Sequence, residues 1–259
     1  MVNFFDSHAH LTSDAVYEDL SYILERAQAA GVGSIVNICT DKTTLERGLE
    51  LKKSCPWIYN AGATTPHDAL EQGEEMFPVF EDAAKKGSLV AIGETGLDYY
   101  YFHETKQEQQ DLLRRYLRLA LETKLPVIIH CRDAFEDFFK ILDEEYVVDG
   151  KHAPGVLHCF TGTLKEAGMV VDRGWYLSLS GIATFKRSDE LRAVARHTPV
   201  DQLLIETDTP YLAPQSKRGK TNEPAYIVET AQLIANEKGV DLDYIAEKTR
   251  ENASQLFNP

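Results

Sequence analysis

Short β-rich apolar runs alternate with amphipathic helical segments eight times along this chain, and that alternation constrains its fold more than any other feature. The runs are Asn3 to Phe5, Ser34 to Cys39, Trp57 to Ala61, Leu89 to Ile92, Val127 to Ile129, Val156 to Leu157, Trp175 to Leu179 and Leu203 to Ile205. Between them, helical spacing of apolar residues covers Tyr17 to Ala30, Thr43 to Ser54, Glu74 to Lys86, Gln107 to Lys124, Ala134 to Tyr146, Leu164 to Arg173 and Ser188 to His197. Strands joined by helix-length crossovers pair in parallel, so each unit predicts a βα step. Eight steps suffice to close a (β/α)8 TIM barrel, with a doubly wound open sheet as the alternative. Two additional C-terminal helices are expected, one over Ala225 to Lys238 and one opening at Asp241 and running through Tyr244, Ile245 and Leu256. No low-complexity segment or composition shift divides the chain, which predicts one domain over residues 1–259.

A chain of 259 residues that is 43% hydrophobic can bury a large core. It has no apolar run of membrane-spanning length, and MVNFFDSHAH lacks both a basic leader and a cleavable apolar stretch. The expectation is a cytoplasmic protein with no membrane association and no obligate protein partner. Cys39, Cys55, Cys131 and Cys159 are scattered without a CxxC pair, so they predict buried thiols, not a disulfide framework or a thiolate zinc site. A net charge of −14 argues against a protein that coats nucleic acid through an overall positive field.

Polar residues cluster at the carboxyl ends of the runs, where barrel active sites are built. His8 and His10 end the first in DSHAH, Glu94 the fourth in AIGETGLDYY and His130 the fifth in VIIHCRDA. His158 ends the sixth in VLHCFTG and Asp208 the eighth in LLIETDTP. Strand alternation puts Asp6, His8 and His10 on one face, and imidazoles two residues apart can grip one cation. Six nitrogen and oxygen donors on one rim predict a metal site. Asp208 also suits a helix N-cap, since Thr209 and Pro210 follow it. Asp6 fits either an imidazole-orienting acceptor or a plain strand-end carboxylate; Glu206 and Asp98 are expected to support the ligands from behind. Cys131 and Cys159 should turn away from the barrel interior, and His103, His152 and His197 follow no apolar strand and read as surface or loop residues.

The motifs DSHAH, GETGLDYYY, IIHCRDA, LHCFTG, IETDTPYLAP and RGKTNEP, spread in this order from residue 6 to residue 224, closely resemble those of the TatD family of metal-dependent DNases, relatives of the amidohydrolase barrels. The resemblance implies a two-metal centre acting on phosphodiesters, with His8, His10 and Asp208 as ligands of one ion, His130 and His158 as ligands of the second, and Glu94 bridging both. One feature departs from the family: where many members carry a histidine before a proline after the third strand, GATTPHDA places Thr65 before Pro66, with His67 following.

Two cations about 3.5 to 4 Å apart answer the difficulty of phosphodiester hydrolysis, because a shared hydroxide attacks while both ions neutralise developing charge. The ions expected are zinc, magnesium or manganese. Asp208 and Glu94 are the expected catalytic carboxylates, Asp208 also accepting the proton of the attacking water. Arg132, Lys217, Arg218 and Lys220 are candidates for phosphate contacts, and Tyr99, Tyr100, Tyr101 and Phe102 supply aromatic rings that can stack an unpaired base, Tyr99 first among them. The function expected is a deoxyribonuclease, an exonuclease acting on single-stranded or frayed DNA ends. The alternative is amidohydrolase-type hydrolysis of a lactone, amide or small phosphoester, for which the basic residues have no use.

Overall fold

The structure, a computed structural model, describes residues 2–147 and 152–259. Eight strands pair in parallel and in sequence order: β1 (Phe4–Ala9), β2 (Val32–Cys39), β3 (Ile58–Gly62), β4 (Ala91–Asp98), β5 (Val127–Arg132), β6 (Val156–Leu157), β7 (Tyr176–Leu179) and β8 (Leu203–Ile205). Helices α1 (Asp14–Tyr17), α2 (Leu20–Ala29), α3 (Lys42–Ser54), α4 (Ala69–Lys85), α5 (Lys106–Thr123), α6 (Phe135–Glu145), α7 (Leu164–Asp172) and α8 (Asp189–His197) alternate with them. Beyond β8 come α9 (Ile227–Lys238) and α10 (Leu242–Phe257). No helix among the described residues is long and apolar enough to cross a membrane.

Local sequence explains the helix ends. Asp41 caps α3 through the Thr44 amide at 2.8 Å while the Thr44 hydroxyl accepts from the Asp41 amide at 3.0 Å, a reciprocal box. Gly239, at φ +67°, lets α9 terminate in a left-handed turn. Two elements differ from the sequence pattern. The expected helix over Tyr17 to Ala30 is split at residues 18 and 19, and α4 begins five residues before Glu74. Gly73, which looks like a helix breaker, lies inside α4 because α5 packs close against it: a Cβ there would meet Leu112 Cδ2 at 3.3 Å.

The barrel has two apolar compartments. One lies between the strands and the surrounding helices and contains Leu24, Phe80, Leu113, Tyr116, Phe138 and Trp175. The other contains alternate residues of the strands, among them Phe5, Val36, Ala61, Ile128, Val156 and Leu204, and it is joined by Ala253, Leu256 and Phe257 of α10. The Phe5 ring stacks on Phe257 at 6.1 Å and on Tyr59 at 6.5 Å. The last helix therefore stoppers the amino-terminal end of the barrel, leaving the carboxyl end free for polar side chains.

Closure of the sheet excludes the open alternative. Beyond β8, the Asp208 amide donates to the His8 carbonyl at 2.9 Å, the His10 amide donates to the Thr209 carbonyl at 2.7 Å, and Ala9 pairs with Thr209. The buried Asp6 carboxylate reinforces this seam, accepting from the Thr207 amide at 2.9 Å, the Thr207 hydroxyl at 2.6 Å and the His8 amide at 3.3 Å. Asp6 thus ties β1 to the segment after β8 and orients no imidazole ring. Burial, only partly offset by these donors, pushes its pKa up to about 7.

That shift makes the seam sensitive to pH. The unfolded aspartate ionises near 3.8, so Asp6 contributes stability that is complete below that pH and is lost as pH rises through about 7. Asp6→Asn removes the titration while keeping a carbonyl for the two amides. Urea unfolding of metal-free protein should show wild type losing stability relative to Asp6→Asn between about pH 4 and about pH 7, with little further change above that. Parallel pH profiles would mean that Asp6 ionises normally.

Candidate metal centre

The structure brings His8, His10, Glu94, His130, His158 and Asp208 together at the carboxyl end of the barrel. His8, Glu94 and His130 lie within their strands and not beyond them, because β1, β4 and β5 run further than their apolar runs. His10 and His158 each follow a strand end directly, and Asp208 stands three residues past β8. Glu94 is positioned by glycine on both sides. Gly93 and Gly96 adopt φ +150° and +147°, and a Cβ on them would stand 2.5 Å from the Ile128 carbonyl oxygen and 1.9 Å from that of His130. Only glycine lets β4 lie flush against β5, and that contact sets Glu94 beside His130.

The two oxygens of Glu94 face different partners. Oε2 lies 3.3 Å from His8 Nε2 and 3.4 Å from His10 Nε2. The same two nitrogens are 3.2 Å apart and lie 3.7 and 3.6 Å from Asp208 Oδ1. Oε1 instead lies 3.1 Å from His130 Nδ1 and 3.0 Å from His158 Nε2. Tetrahedral donors held at about 2.0 to 2.2 Å from an ion stand about 3.3 to 3.6 Å from one another. The first set matches that spacing nearly edge for edge, and the second, with three donors, leaves open positions. Both donor sets therefore suit a divalent cation.

Behind the donors sits a second row of carboxylates. Asp98 Oδ2 accepts from His130 Nε2 at 3.0 Å, which leaves Nδ1 as that ring's free lone pair. The same oxygen lies 3.0 Å from His67 Nε2. Glu206 Oε1 lies 3.5 Å from His158 Nδ1 and accepts from the Cys159 amide. Burial pulls His8 down to about 4, aided by the neighbouring His158, whose ring stacks on it at 3.8 Å. Burial acts the same way on His10, but the Asp208 and Glu94 carboxylates outweigh it and raise that imidazole to about 9. For Glu94, burial is overcome by the facing imidazoles and the carboxyl stays well below its usual range. The cluster demands positive charge, which either protons or cations can supply.

A cavity of roughly 470 Å³ opens over these donors, walled also by Ser13, Thr40, Thr65, His67, Thr161, Ile182 and Tyr211. Arg132 lines it as the one arginine or lysine on the wall among the described residues. The other expected substrate contacts stand elsewhere. Tyr99 packs behind the wall, its hydroxyl donating to Asp137 at 2.8 Å and accepting from Gln110 at 2.7 Å, with the Lys106 ammonium over its ring. Arg218 lies on the Phe185 ring at 4.3 Å, Lys217 near the Tyr226 ring at 5.2 Å, and Lys220 is exposed outside the cavity. Cys131 and Cys159 do reach the wall; Cys159, at φ +41°, escapes strand alternation. Burial pushes both thiols well above their usual range, so they remain protonated and poor ligands. His103 and His197 are exposed, and His152 packs near Tyr146, all away from the site. Strand periodicity did not single out Tyr211, although its loop follows the Asp208 motif.

A closed parallel barrel with convergent imidazoles and carboxylates at its carboxyl mouth has the architecture of a metal-binding barrel enzyme. Residues 5–258 match the family model described as TatD related DNase. The chain belongs to the TatD family. It is 40% identical over 253 residues to the metal-dependent hydrolase YabD of Bacillus subtilis, covering 98% of each chain. It is 36% identical to the 3'-5' ssDNA/RNA exonuclease TatD of Salmonella typhimurium, again over 98% of each. The crystal structure of YJJV, a TatD homologue from Escherichia coli, superposes with a TM-score of 0.92 at 28% identity, covering 100% of this chain and 99% of that one.

The close approach of Gly96 to β5 can be tested by stability alone. Gly96→Ala forces the β4 and β5 backbones apart and should cost about 2 to 4 kcal/mol by urea unfolding. Gly168→Ala, at an exposed position of α7 where a Cβ meets nothing within 4 Å, should instead stabilise by about 0.5 to 1 kcal/mol. Equal effects of the two substitutions would remove the argument for flush packing of β4.

Proposed function

We propose that this chain hydrolyses nucleic-acid phosphodiesters with two divalent cations, removing nucleotides from single-stranded or frayed DNA ends. The observation that carries this reading is the division of Glu94, one oxygen facing His8, His10 and Asp208 and the other facing His130 and His158. His8, His10 and Asp208 would hold one ion, His130 and His158 the other, and Glu94 both. When bound, zinc, magnesium or manganese ions lower the pKa of water and neutralise charge growing on phosphoryl oxygens.

The chain's own residues do the rest. Asp208 presents Oδ1 to the two histidines and keeps Oδ2 to accept the proton of the attacking water. Asp98 fixes the orientation of His130, and Glu206 sets a carboxylate 3.5 Å from His158 Nδ1. Arg132 brings a guanidinium to the wall, where a phosphate oxygen can accept from it; a neutral lactone or amide would make no use of that charge. The cavity volume suits one nucleotide end better than a duplex, whose major groove alone is about 12 Å wide. The Salmonella relative, named as an exonuclease on single-stranded DNA and RNA, supports the same substrate class.

Elemental analysis of metal-saturated, desalted protein should give two divalent ions per chain. Glu94→Gln should deplete both and His158→Ala mainly one. A content that stays at one for wild type at every metal concentration would falsify the two-ion reading.

Kinetics separate proton transfer from substrate contact. Asp208→Asn should lower kcat about 10²- to 10⁴-fold with KM nearly unchanged, once metal content is matched to wild type. Arg132→Ala should raise KM on a single strand and flatten the plot of log affinity against log salt by somewhat less than one unit. An unchanged salt slope would take Arg132 off the phosphate.

A further inference from the structure

Exposed aromatic rings rim the barrel mouth on two sides. Tyr100 and Tyr101, in the turn after β4, are 57% and 61% exposed, and Tyr211, in the loop after β8, is 55% exposed. In a closed ring of eight strands β4 and β8 lie four strands apart in either direction, so the two sets face each other across the metal donors. Leu212, 37% exposed, adjoins Tyr211 on the cavity wall. Single exposed rings are ordinary on a protein surface; paired rings flanking a catalytic mouth are not required by folding.

Each set is anchored to a residue of the centre itself. Asp98, which holds His130 through Oδ2, accepts through Oδ1 from the amides of Tyr100 at 3.0 Å and Tyr101 at 2.8 Å. The Arg132 guanidinium lies over the Tyr100 ring at 4.0 Å and the Tyr101 ring at 4.8 Å, and the two rings meet edge to face at 4.6 Å. On the opposite side the Tyr211 amide donates to the Asp208 carbonyl at 2.7 Å, its own carbonyl accepts from Asn222 Nδ2 at 2.6 Å, and its ring meets His10 edge to face at 5.7 Å. The rings are thus placed by the same groups that place the ligands, and each stays more than half exposed although Arg132 lies over the β4 pair.

We propose that Tyr211 and the Tyr100–Tyr101 pair are two base-stacking platforms, taking the unpaired bases on either side of the phosphodiester being cut. The proposal rests on the nucleic-acid reading above and adds the recognition of the bases to it. Every base presents a π-face, so such platforms hold a strand without reading its sequence. Arg132, stacked at the β4 platform and lining the cavity, adds one cation for the intervening phosphate, which is what a chain of net charge −14 needs at this point. Both platforms require bases free of their complements, so the arrangement selects single strands and frayed ends over duplex.

The test uses a short single strand with and without an abasic residue at each of the two terminal positions, and bis(4-nitrophenyl) phosphate as a small diester. Wild type is compared with Tyr211→Ala, Tyr211→Phe and the double substitution Tyr100→Ala with Tyr101→Ala. Each alanine variant should raise KM on the intact strand about tenfold, with kcat little changed. Tyr211→Phe should restore the wild-type KM. Removing ring and base at the same step should cost no more than removing either alone. Strands carrying 2-aminopurine, bound without turnover to Asp208→Asn protein, should lose fluorescence, and should lose less once the rings are removed. Unchanged KM in the alanine variants, or ring and base losses that multiply, overturns the platforms while leaving the nuclease reading intact. Metal-dependent hydrolysis of the small diester with no cleavage of any strand overturns the nuclease reading and the platforms with it.

Discussion

The carboxyl end of this barrel depends on Glu94. A carboxylate withdrawn from water is tolerated only where positive charge and hydrogen-bond donors surround it. Glu94 is surrounded by four imidazoles from three strands, two at each oxygen. That arrangement requires β4 to stay extended past its apolar run, in the register that turns Glu94 inward; a slip of one residue would carry it to the other face. Gly93 and Gly96 permit the register, and Asp98, the last residue of β4, secures the neighbouring His130.

The barrel divides its tasks along its axis. Apolar burial is concentrated toward the amino-terminal end of the strands, where α10 adds Leu256 and Phe257 to the interior, and in the belt between strands and helices. A fully buried phenylalanine contributes about 1.5 to 3 kcal/mol by area, so this part of the molecule can offset a mouth assembled from mutually repelling carboxylates. Asp6 sits between the two regimes. It is polar and buried, and it joins the first strand to the chain beyond the last, so the seam of the barrel lies directly beneath the donor residues His8 and Asp208.

Eight βα steps were legible because burial on both faces leaves a compact apolar run at each strand, and the donor residues stood out because polar side chains at the ends of such runs need a reason. The true end of β4 was not legible: Glu94, Gly96 and Asp98 resemble a loop, since the interior they face is itself polar. Nor could the sequence distinguish Tyr99 from Tyr100 and Tyr101. Their neighbours decide the matter, Asp137 from α6 and Gln110 from α5 drawing Tyr99 inward while Tyr100 and Tyr101, met by Arg132, stay largely exposed. Arg218 and Lys220 belong to a loop that periodicity does not describe; it is pinned by Asn222 to Thr207 and by Glu223 to Arg26 of α2, which carries the basic side chains away from the cavity. The role of Asp6 depends on Thr207, 201 residues distant, and no local pattern reports such a contact.

The stoppering of the barrel by α10 also has a temporal side. Phe5 of β1 stacks on Phe257 of α10, two rings brought together from opposite ends of the barrel's sequence of elements. The helices and strands between them can pack their outer belt through nearer contacts, but the space inside the strands stays unfinished until the last turn of α10 docks. Closure of the interior is therefore tied to a contact of very long sequence separation, the slowest kind to form, and until it forms the inner face of the strands offers apolar surface to neighbouring molecules.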